Sequence, residues 1–212
     1  MTHEGEELKE EQAEIEVAGE VRARVRVFTG RKYLFLFTIG VASSLFHIWY
    51  ATIGVMPEIY RNAVHMGFMI SMAYLIYPLS KKDPQRYFTL DLILAALTAA
   101  VAAYIMLFEQ ELHLERASVP IMRDYIFAAL ALCLLIAGTF RTVGWFIPVM
   151  SVTFIFYALF LGKLIPGMFH FRGVNVGRLL YRLYLTDEGI FGLVCTVSAT
   201  YVYLFILFGA FL

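Results

Sequence analysis

The chain has 212 residues, of which 60% are hydrophobic and only 16% are charged, and its mean hydropathy is +0.72. A soluble domain needs more charged residues to cover its surface, so this composition excludes an ordinary soluble protein and indicates an integral membrane protein. The 17 basic and 17 acidic residues balance, and no strongly basic domain favours a nucleic-acid partner.

The first 32 residues are predicted to form a cytoplasmic tail. Residues 1–20 are polar and acidic, and they lack the positively charged start of a secretory signal peptide. The stretch VRARVRVF (21–28) alternates apolar residues with Arg. A short strand would have this pattern, but we favour a basic segment that lies at the lipid surface before the first apolar segment.

Six apolar segments follow, and they predict six transmembrane helices. They cover residues 33–55, 63–79, 91–108, 124–140, 144–161 and 189–212. At a rise of about 1.5 Å per residue the first reaches about 34 Å, enough to cross the hydrocarbon core of a bilayer. None alternates like the strands of a membrane β-barrel. The predicted fold class is therefore an all-α integral membrane protein with about six transmembrane helices.

Polar residues mark the starts of several of these helices. Thr89 or Asp91 is placed to cap the third, and Asp124 opens the fourth with a negative charge near the positive end of the helix dipole. The sequence TDE (186–188) is the N-terminal signal of the sixth.

The segment NVGRLLYRLYL (175–185) is too short and too charged to span a membrane. Leu180 and Tyr184 lie four residues apart on one face, and Arg178 and Arg182 do so on another. We predict an amphipathic helix in the membrane interface, with Asn175 as its N-cap.

The distribution of Lys and Arg predicts a cytoplasmic N-terminus, because cytoplasmic flanks carry an excess of positive charge. The inner flanks would then hold Arg22, Arg24, Arg26, Arg31, Lys32, Lys81, Lys82, Arg86 and Arg141. The acidic loop 109–123 would lie outside, where it either only sets helix depth or contacts a partner. The stretch 162–188 would also lie outside although it is basic. Either it packs against protein, or the fourth and fifth segments are arranged differently.

Ionisable residues inside the membrane are the first candidates for a functional site. His47 lies deep in the first segment, and His65 lies near the start of the second. A haem between them is one interpretation, but with these segment bounds their depths differ by about 8 Å, a poor match for two axial ligands. We therefore predict that each histidine is hydrogen-bonded within the helix bundle, and we expect neither a cofactor nor a metal.

The sequence offers no arrangement for nucleophilic catalysis, and we predict no enzyme activity. Five serines lie inside apolar segments, namely Ser43, Ser44, Ser71, Ser151 and Ser198. No base is placed beside them by the sequence, and the motifs GxGxxG, HExxH and CxxC are absent. Cys133 and Cys195 lie in apolar runs without the spacing of a disulfide or a metal site. Small and hydroxyl residues over 189–200 suit close helix packing instead.

Five stretches of the chain carry a family resemblance. They read SLFHIWYATIGV, YRNAVHMGF, FRTVGWFIPVMSVTFIFYALF, IPGMFHFRG and LYLTDEGIFGLVCTVSATYVYLFILFGAFL. Together they resemble the fused permease of TRAP transporters, of the type that works with a TAXI-type solute-binding protein. The resemblance covers residues 30–212, and the acidic tail has no counterpart in it.

The resemblance implies a secondary active transporter for an organic anion, such as a carboxylate, which an extracytoplasmic binding protein delivers. Residues 33–140 look like the four-helix small subunit, which acts as a scaffold. Residues 141–212 look like the first helices of the large subunit, whose remaining part, with the substrate and ion sites, would follow. On this basis the candidates for coupling to that part are Arg141, Asp187, Glu188, Ser198 and Thr200, with His47 and His65 as further packing candidates.

The resemblance also implies a multi-pass protein of a bacterial or archaeal cytoplasmic membrane, with the lipid bilayer and the rest of the large permease domain as partners. We expect the chain to be an N-terminal fragment or a truncated gene product of such a permease. One alternative is a stand-alone small membrane scaffold or assembly protein without transport activity. The other is a membrane enzyme or haem protein that uses His47 and His65.

Overall fold

The computed structural model describes residues 25–80, 83–165 and 167–212, and every regular element among them is helical, which confirms the predicted all-α fold. The α-helices of this part are α1 Gly30–Thr52, α2 Glu58–Ile76, α3 Phe88–Gln110, α4 Met122–Thr142, α5 Phe146–Leu159, α6 Val176–Tyr184, α7 Leu193–Val197 and α8 Tyr203–Phe211. A π-helical turn over Glu111–Glu115 extends α3, and another over Ser198–Val202 joins α7 to α8. We call Leu193–Phe211 the last helix. Most of the predicted tail, residues 1–24, lies outside the described residues.

Four helices of the described chain are long and apolar enough to cross a membrane, which makes this a multi-pass membrane protein. They are Gly30–Thr52, Phe88–Glu115, Met122–Thr142 and Leu193–Phe211. The second and fifth predicted segments are also helical, but they fall short of these criteria. The first two turns of α2 carry Arg61, Asn62 and His65, and α5 is an apolar helix of 14 residues.

Two helix starts differ from the prediction by more than three residues. The helix α2 starts at Glu58, five residues before the predicted position 63, because Arg61 and Asn62 in its first turns are buried against protein rather than exposed to water. The last helix starts at Leu193 rather than at Gly189. The TDE signal is followed by a tight turn instead, in which the Ile190 amide bonds the Leu183 carbonyl at 2.7 Å. A side chain at Gly189 would collide with that same carbonyl.

The helices α2 and α3 pack along each other in the middle of the bundle. Gly67 permits the close approach, because a Cβ atom there would lie 2.9 Å from the Cβ of Ala102. The Ser71 hydroxyl donates to the Ala95 carbonyl at 2.9 Å across the same contact. The helix α4 covers both, and α1, α2 and the last helix contact one another. The buried apolar core includes Ile59, Leu75, Ile105, Leu112, Leu134 and Leu185.

The helix α6 is the amphipathic helix predicted from residues 175–185. The Asn175 side chain accepts a hydrogen bond from the Gly177 amide at 2.8 Å, which confirms the N-cap. Tyr184 is buried, and its hydroxyl donates to the Val101 carbonyl at 2.6 Å. Burial raises the pKa of this hydroxyl far above its usual range. The helix α6 packs on α4, and its Tyr184 reaches α3, whereas Lys163, Arg172, Arg178 and Arg182 of the basic stretch are exposed.

The helices α1–α4 alternate in direction, so the chain passes from one end of the bundle to the other and back. The first end holds the start of α1, the end of α2, the start of α3 and the end of α4, and there the Arg26 amide bonds the Ile76 carbonyl at 2.8 Å. The second end holds the end of α1, the start of α2, the end of α3 and the start of α4. There the Tyr60 hydroxyl donates to Glu109 at 2.9 Å.

Candidate functional site

A buried carboxylate at the first end joins three parts of the chain. Asp91 is fully buried, and its two oxygens bind Arg26 at 2.6 Å and Arg141 at 2.5 Å. Arg26 also donates to the carbonyls of Leu75 and Pro84, each at 2.7 Å. Two guanidinium groups around one carboxylate leave a net positive charge in this first-end cluster, which consists of Arg26, Asp91 and Arg141.

Three sequence predictions concern residues of this cluster. The predicted capping role of Asp91 is wrong, because α3 begins at Phe88 without a side-chain cap and Asp91 points into the bundle one turn later. Arg26 is buried rather than at the lipid surface, since its guanidinium finds a carboxylate and two carbonyls there. Arg141, a predicted coupling residue, binds Asp91 and lies 4.8 Å from the centre of the Tyr74 ring.

A second buried carboxylate organises the second end. Asp124 accepts hydrogen bonds from the Ile121 amide at 2.8 Å, from Arg116 at 2.6 Å and from the Tyr104 hydroxyl. It thus satisfies a free amide at the start of α4, as predicted for an acid at this position. The bond to Asp124 raises the pKa of the Arg116 guanidinium above its usual range. We call this group the second-end cluster: Tyr104, Glu111, Arg116, Arg123 and Asp124.

A third polar group lies where the last helix meets α1 and α2, and we call this contact the seam. Asn62 is fully buried and donates to the Phe191 carbonyl at 2.7 Å and to the Thr196 hydroxyl at 2.8 Å. Arg61 beside it donates to Thr196 and to the Tyr50 hydroxyl, each at 2.9 Å. Within the described residues, the partners of this buried guanidinium are neutral, in contrast to those of Arg26 and Arg141.

The two intramembrane histidines meet in the same seam. His47 Nε2 lies 2.9 Å from His65 Nδ1, and both rings are buried. The outer nitrogens also have partners, since His47 Nδ1 lies 2.7 Å from the Ser43 carbonyl and His65 Nε2 lies 3.1 Å from the Ser198 hydroxyl. The Tyr203 ring stacks on His47 with 3.7 Å between the ring centres. The predicted hydrogen bonding of both histidines is confirmed.

The predicted depth difference between the histidines is wrong. His47 lies five residues before the end of α1 and His65 seven residues after the start of α2. These intervals correspond to depths of about 8 Å and about 10 Å, so the rings lie side by side. A haem between them is still incompatible with this geometry. Opposed nitrogen ligands of one iron lie about 4 Å apart, and here the nitrogens are in direct hydrogen-bond contact.

Ser198 has a histidine beside it, which the sequence did not reveal. Ser198, His65 and His47 follow the order of a nucleophile, a base and an orienting group. However, the Ser198 amide is bonded within its helix to the carbonyls of Val194 and Cys195. It is therefore not free to stabilise an oxyanion beside its own side chain. The arrangement suits hydrogen bonding and proton binding better than acyl transfer.

The remaining predicted site residues lie apart from the histidine pair. Thr200 donates to the Thr196 carbonyl of its own helix at 2.8 Å. Asp187 lines a polar cleft of about 460 Å³ at the second end, together with Glu109 and His113. Glu188 is exposed and lies 3.9 Å from Arg182. The structure thus brings together His47, His65 and Ser198, and leaves Arg141, Asp187 and Glu188 at other places.

The sequence analysis missed several residues of these sites, among them Arg26, Asn62 and Tyr203. Arg26 belongs to an alternating basic stretch that predicts a surface position. Asn62 follows Arg61 at the start of an apolar run, and this polar pair inside a helix was the available signal. Tyr203 lies in a run of aromatic and aliphatic residues, where nothing distinguishes a hydrogen-bonded tyrosine from one that faces lipid.

A cleft of about 430 Å³ opens beside the seam. His65, Cys195 and Ser198 contribute its polar lining, and Met69, Ile190 and neighbouring apolar residues form the rest. Among the residues that the structure describes, no group of three or more His, Cys, Asp or Glu side chains could hold a metal ion. Comparisons with protein-family models, curated proteins and solved structures give no match for this chain.

Proposed function

We propose that this chain is the scaffold part of a TRAP-type secondary transporter in a bacterial or archaeal cytoplasmic membrane. The transporter takes up an organic anion, such as a carboxylate, from a TAXI-type solute-binding protein. The family resemblance suggests this system, and one structural observation supports the scaffold role. The buried carboxylate Asp91 joins the chain just before α1 to α3 and α4 at the first end, and Asp124 joins α3 to α4 at the second, as a part that must stay rigid requires.

The division of the chain into a scaffold over 33–140 and the start of a larger domain over 141–212 is consistent with these contacts. Arg141 at the boundary is held by Asp91, and the last helix is held by Asn62 and His65. The outward face of the last helix is apolar, with Phe205, Ile206 and Phe208 each about two thirds exposed or more. This face is suited to lipid or to the rest of the large permease domain.

Uptake by the native organism tests the transport proposal. We would delete the gene and measure uptake of a panel of radiolabelled organic acids, then restore the gene on a plasmid. Loss of uptake of at least one carboxylate, with recovery on complementation, is expected. Unchanged uptake of every acid in the panel, in cells shown to produce the binding protein, would contradict the proposal.

Photo-crosslinking tests the binding-protein partner. A photoreactive amino acid at Leu114, an exposed residue of the π-helical turn within the acidic stretch 109–123, should crosslink to the TAXI-type protein. The matched control is Val143, which is exposed at the opposite end of the bundle. Crosslinking from Leu114 alone is the expected result. Crosslinking from Val143 alone would reverse the predicted orientation, and none from Leu114 would remove this loop from the docking surface.

A further inference from the structure

We propose that the His47–His65 pair is a proton-binding site that takes up one proton at His65 Nε2, while the Ser198 hydroxyl changes from hydrogen-bond donor to acceptor. The site lies in the seam between α1, α2 and the last helix. The proposal rests on the geometry of this seam and holds whether or not the chain belongs to a transporter.

The hydrogen-bond chain fixes the position of each proton when both rings are neutral. The Ser43 carbonyl can only accept, so His47 carries its proton on Nδ1 and its Nε2 is an acceptor. His65 must then donate from Nδ1 to His47, which leaves His65 Nε2 without a proton. This nitrogen accepts from the Ser198 hydroxyl. Both rings are therefore in the Nδ1–H form, and every ring nitrogen has a partner.

One added proton fits this chain without any movement of the rings. Protonated His65 Nε2 becomes a donor, and Ser198 Oγ can accept because a hydroxyl is both donor and acceptor. The bonds from His65 to His47 and from His47 to Ser43 keep their direction. A second proton would need His47 Nε2, which is already occupied by the His65 N–H group. The pair therefore binds one proton rather than two.

The charged and titratable groups around the pair also favour the uptake of one proton rather than two. They are Tyr50 on α1, Arg61 on α2, Cys195 on α7 and Tyr203 on α8. Of these only Arg61 carries a charge at neutral pH, and it would repel a doubly charged pair strongly in a region of low dielectric. The stacked Tyr203 ring can stabilise a single positive charge through its face.

Protons can reach the site through the cleft beside the seam. His65 and Ser198 both line this cleft, whose volume of about 430 Å³ is large enough for water. The nitrogen that receives the proton is the one that faces Ser198, and hence the cleft, while the His47 side of the pair is covered by Tyr203. His65 Nε2 is therefore both the nitrogen that can accept a proton and the one that lies toward the cleft.

Nuclear magnetic resonance of the full chain in lipid nanodiscs, with 15N- and 13C-labelled histidine, tests the proposal. Near pH 8 the ring signals of His47 and His65, assigned with His47→Gln and His65→Gln, should both show the Nδ1–H form, which is the minor form of histidine in water. Lowering the pH to about 4, across the range in which histidine titrates, should protonate His65 while His47 stays neutral. His170 serves as the internal reference for an exposed ring.

Two serine variants separate a proton site from a purely structural contact. Ser198→Ala removes the acceptor for the charged ring, so the proton affinity of the pair should fall about tenfold, by about one pH unit. Ser151→Ala, in which the lost hydroxyl bonds only its own helix, should leave it unchanged. Three results would each overturn the proposal. The first is the Nε2–H form of His65 near pH 8, and the second is a pair that stays neutral or takes up two protons in the folded protein at acid pH. The third is equal titration of the two serine variants.

Discussion

The two ends of the bundle and the seam are both polar and buried, but they are built from different groups. At the ends, Asp91 and Asp124 each bind at least one arginine at 2.6 Å or less. In the seam, Asn62, Thr196, Ser198 and the histidines are uncharged, and the one arginine present has neutral partners within the described chain.

This difference predicts that the charged ends and the seam contribute differently to the free energy of unfolding. Removing one member of a buried ion pair leaves an uncompensated charge and costs about 3–5 kcal/mol. A neutral hydrogen bond between membrane helices contributes about 0.6 kcal/mol on average. The charged ends therefore fix α1–α4 as a unit, whereas the last helix is held by many small contributions that can change one at a time.

The substitution Asp91→Asn should have the largest effect. It keeps the size of the side chain but leaves Arg26 and Arg141 without their shared carboxylate. The free energy of unfolding should fall by about 3–5 kcal/mol, measured by unfolding of the purified protein in detergent–SDS mixtures. Asp83→Asn, at an exposed position next to the same end, is the matched control. Equal stability of the two variants would show that charge does not hold this end.

The substitution Asp124→Asn should have the next largest effect, about 2–4 kcal/mol. The loss is smaller than at Asp91 because Arg116 keeps Glu111 as a second carboxylate at 3.2 Å. The control in the same unfolding assay is Glu115→Gln, which changes an exposed acid in the π-helical turn that also contains Glu111. If Asp124→Asn proves more damaging than Asp91→Asn, the spare carboxylate contributes less than the geometry indicates.

The helices could be predicted from the sequence, because apolar runs of about 20 residues determine them. The partners across helices could not. The depths of His47 and His65 depend on where α2 begins, and a start at Glu58 is stable only because Arg61 and Asn62 are satisfied by Phe191 and Thr196, about 130 residues further along the chain. Such long-range pairs leave no periodic signal in a single sequence.

The substitution Asn62→Ala should weaken the seam alone. It removes donors to the Phe191 carbonyl and the Thr196 hydroxyl, with an expected loss of about 1–3 kcal/mol. Hydrogen exchange of amides over 193–202 should become faster, while amides of α4 should be unchanged. Thr98→Val is the control, because the Thr98 hydroxyl bonds a carbonyl of its own helix. Faster exchange throughout α4 would mean that the seam and the bundle unfold together.

The substitution Glu188→Gln should have the smallest effect. Glu188 and Arg182 are about two thirds exposed and 3.9 Å apart, and such surface pairs contribute about 0–1 kcal/mol. What contribution there is should disappear in high salt, which screens exposed charges. Unfolding at low and high salt measures the size of this contribution and its dependence on salt. The control is Asp187→Asn, a neighbouring variant that loses the same charge. A larger, salt-independent loss for Glu188→Gln would show that this turn is covered by protein, and hence that a partner surface begins here.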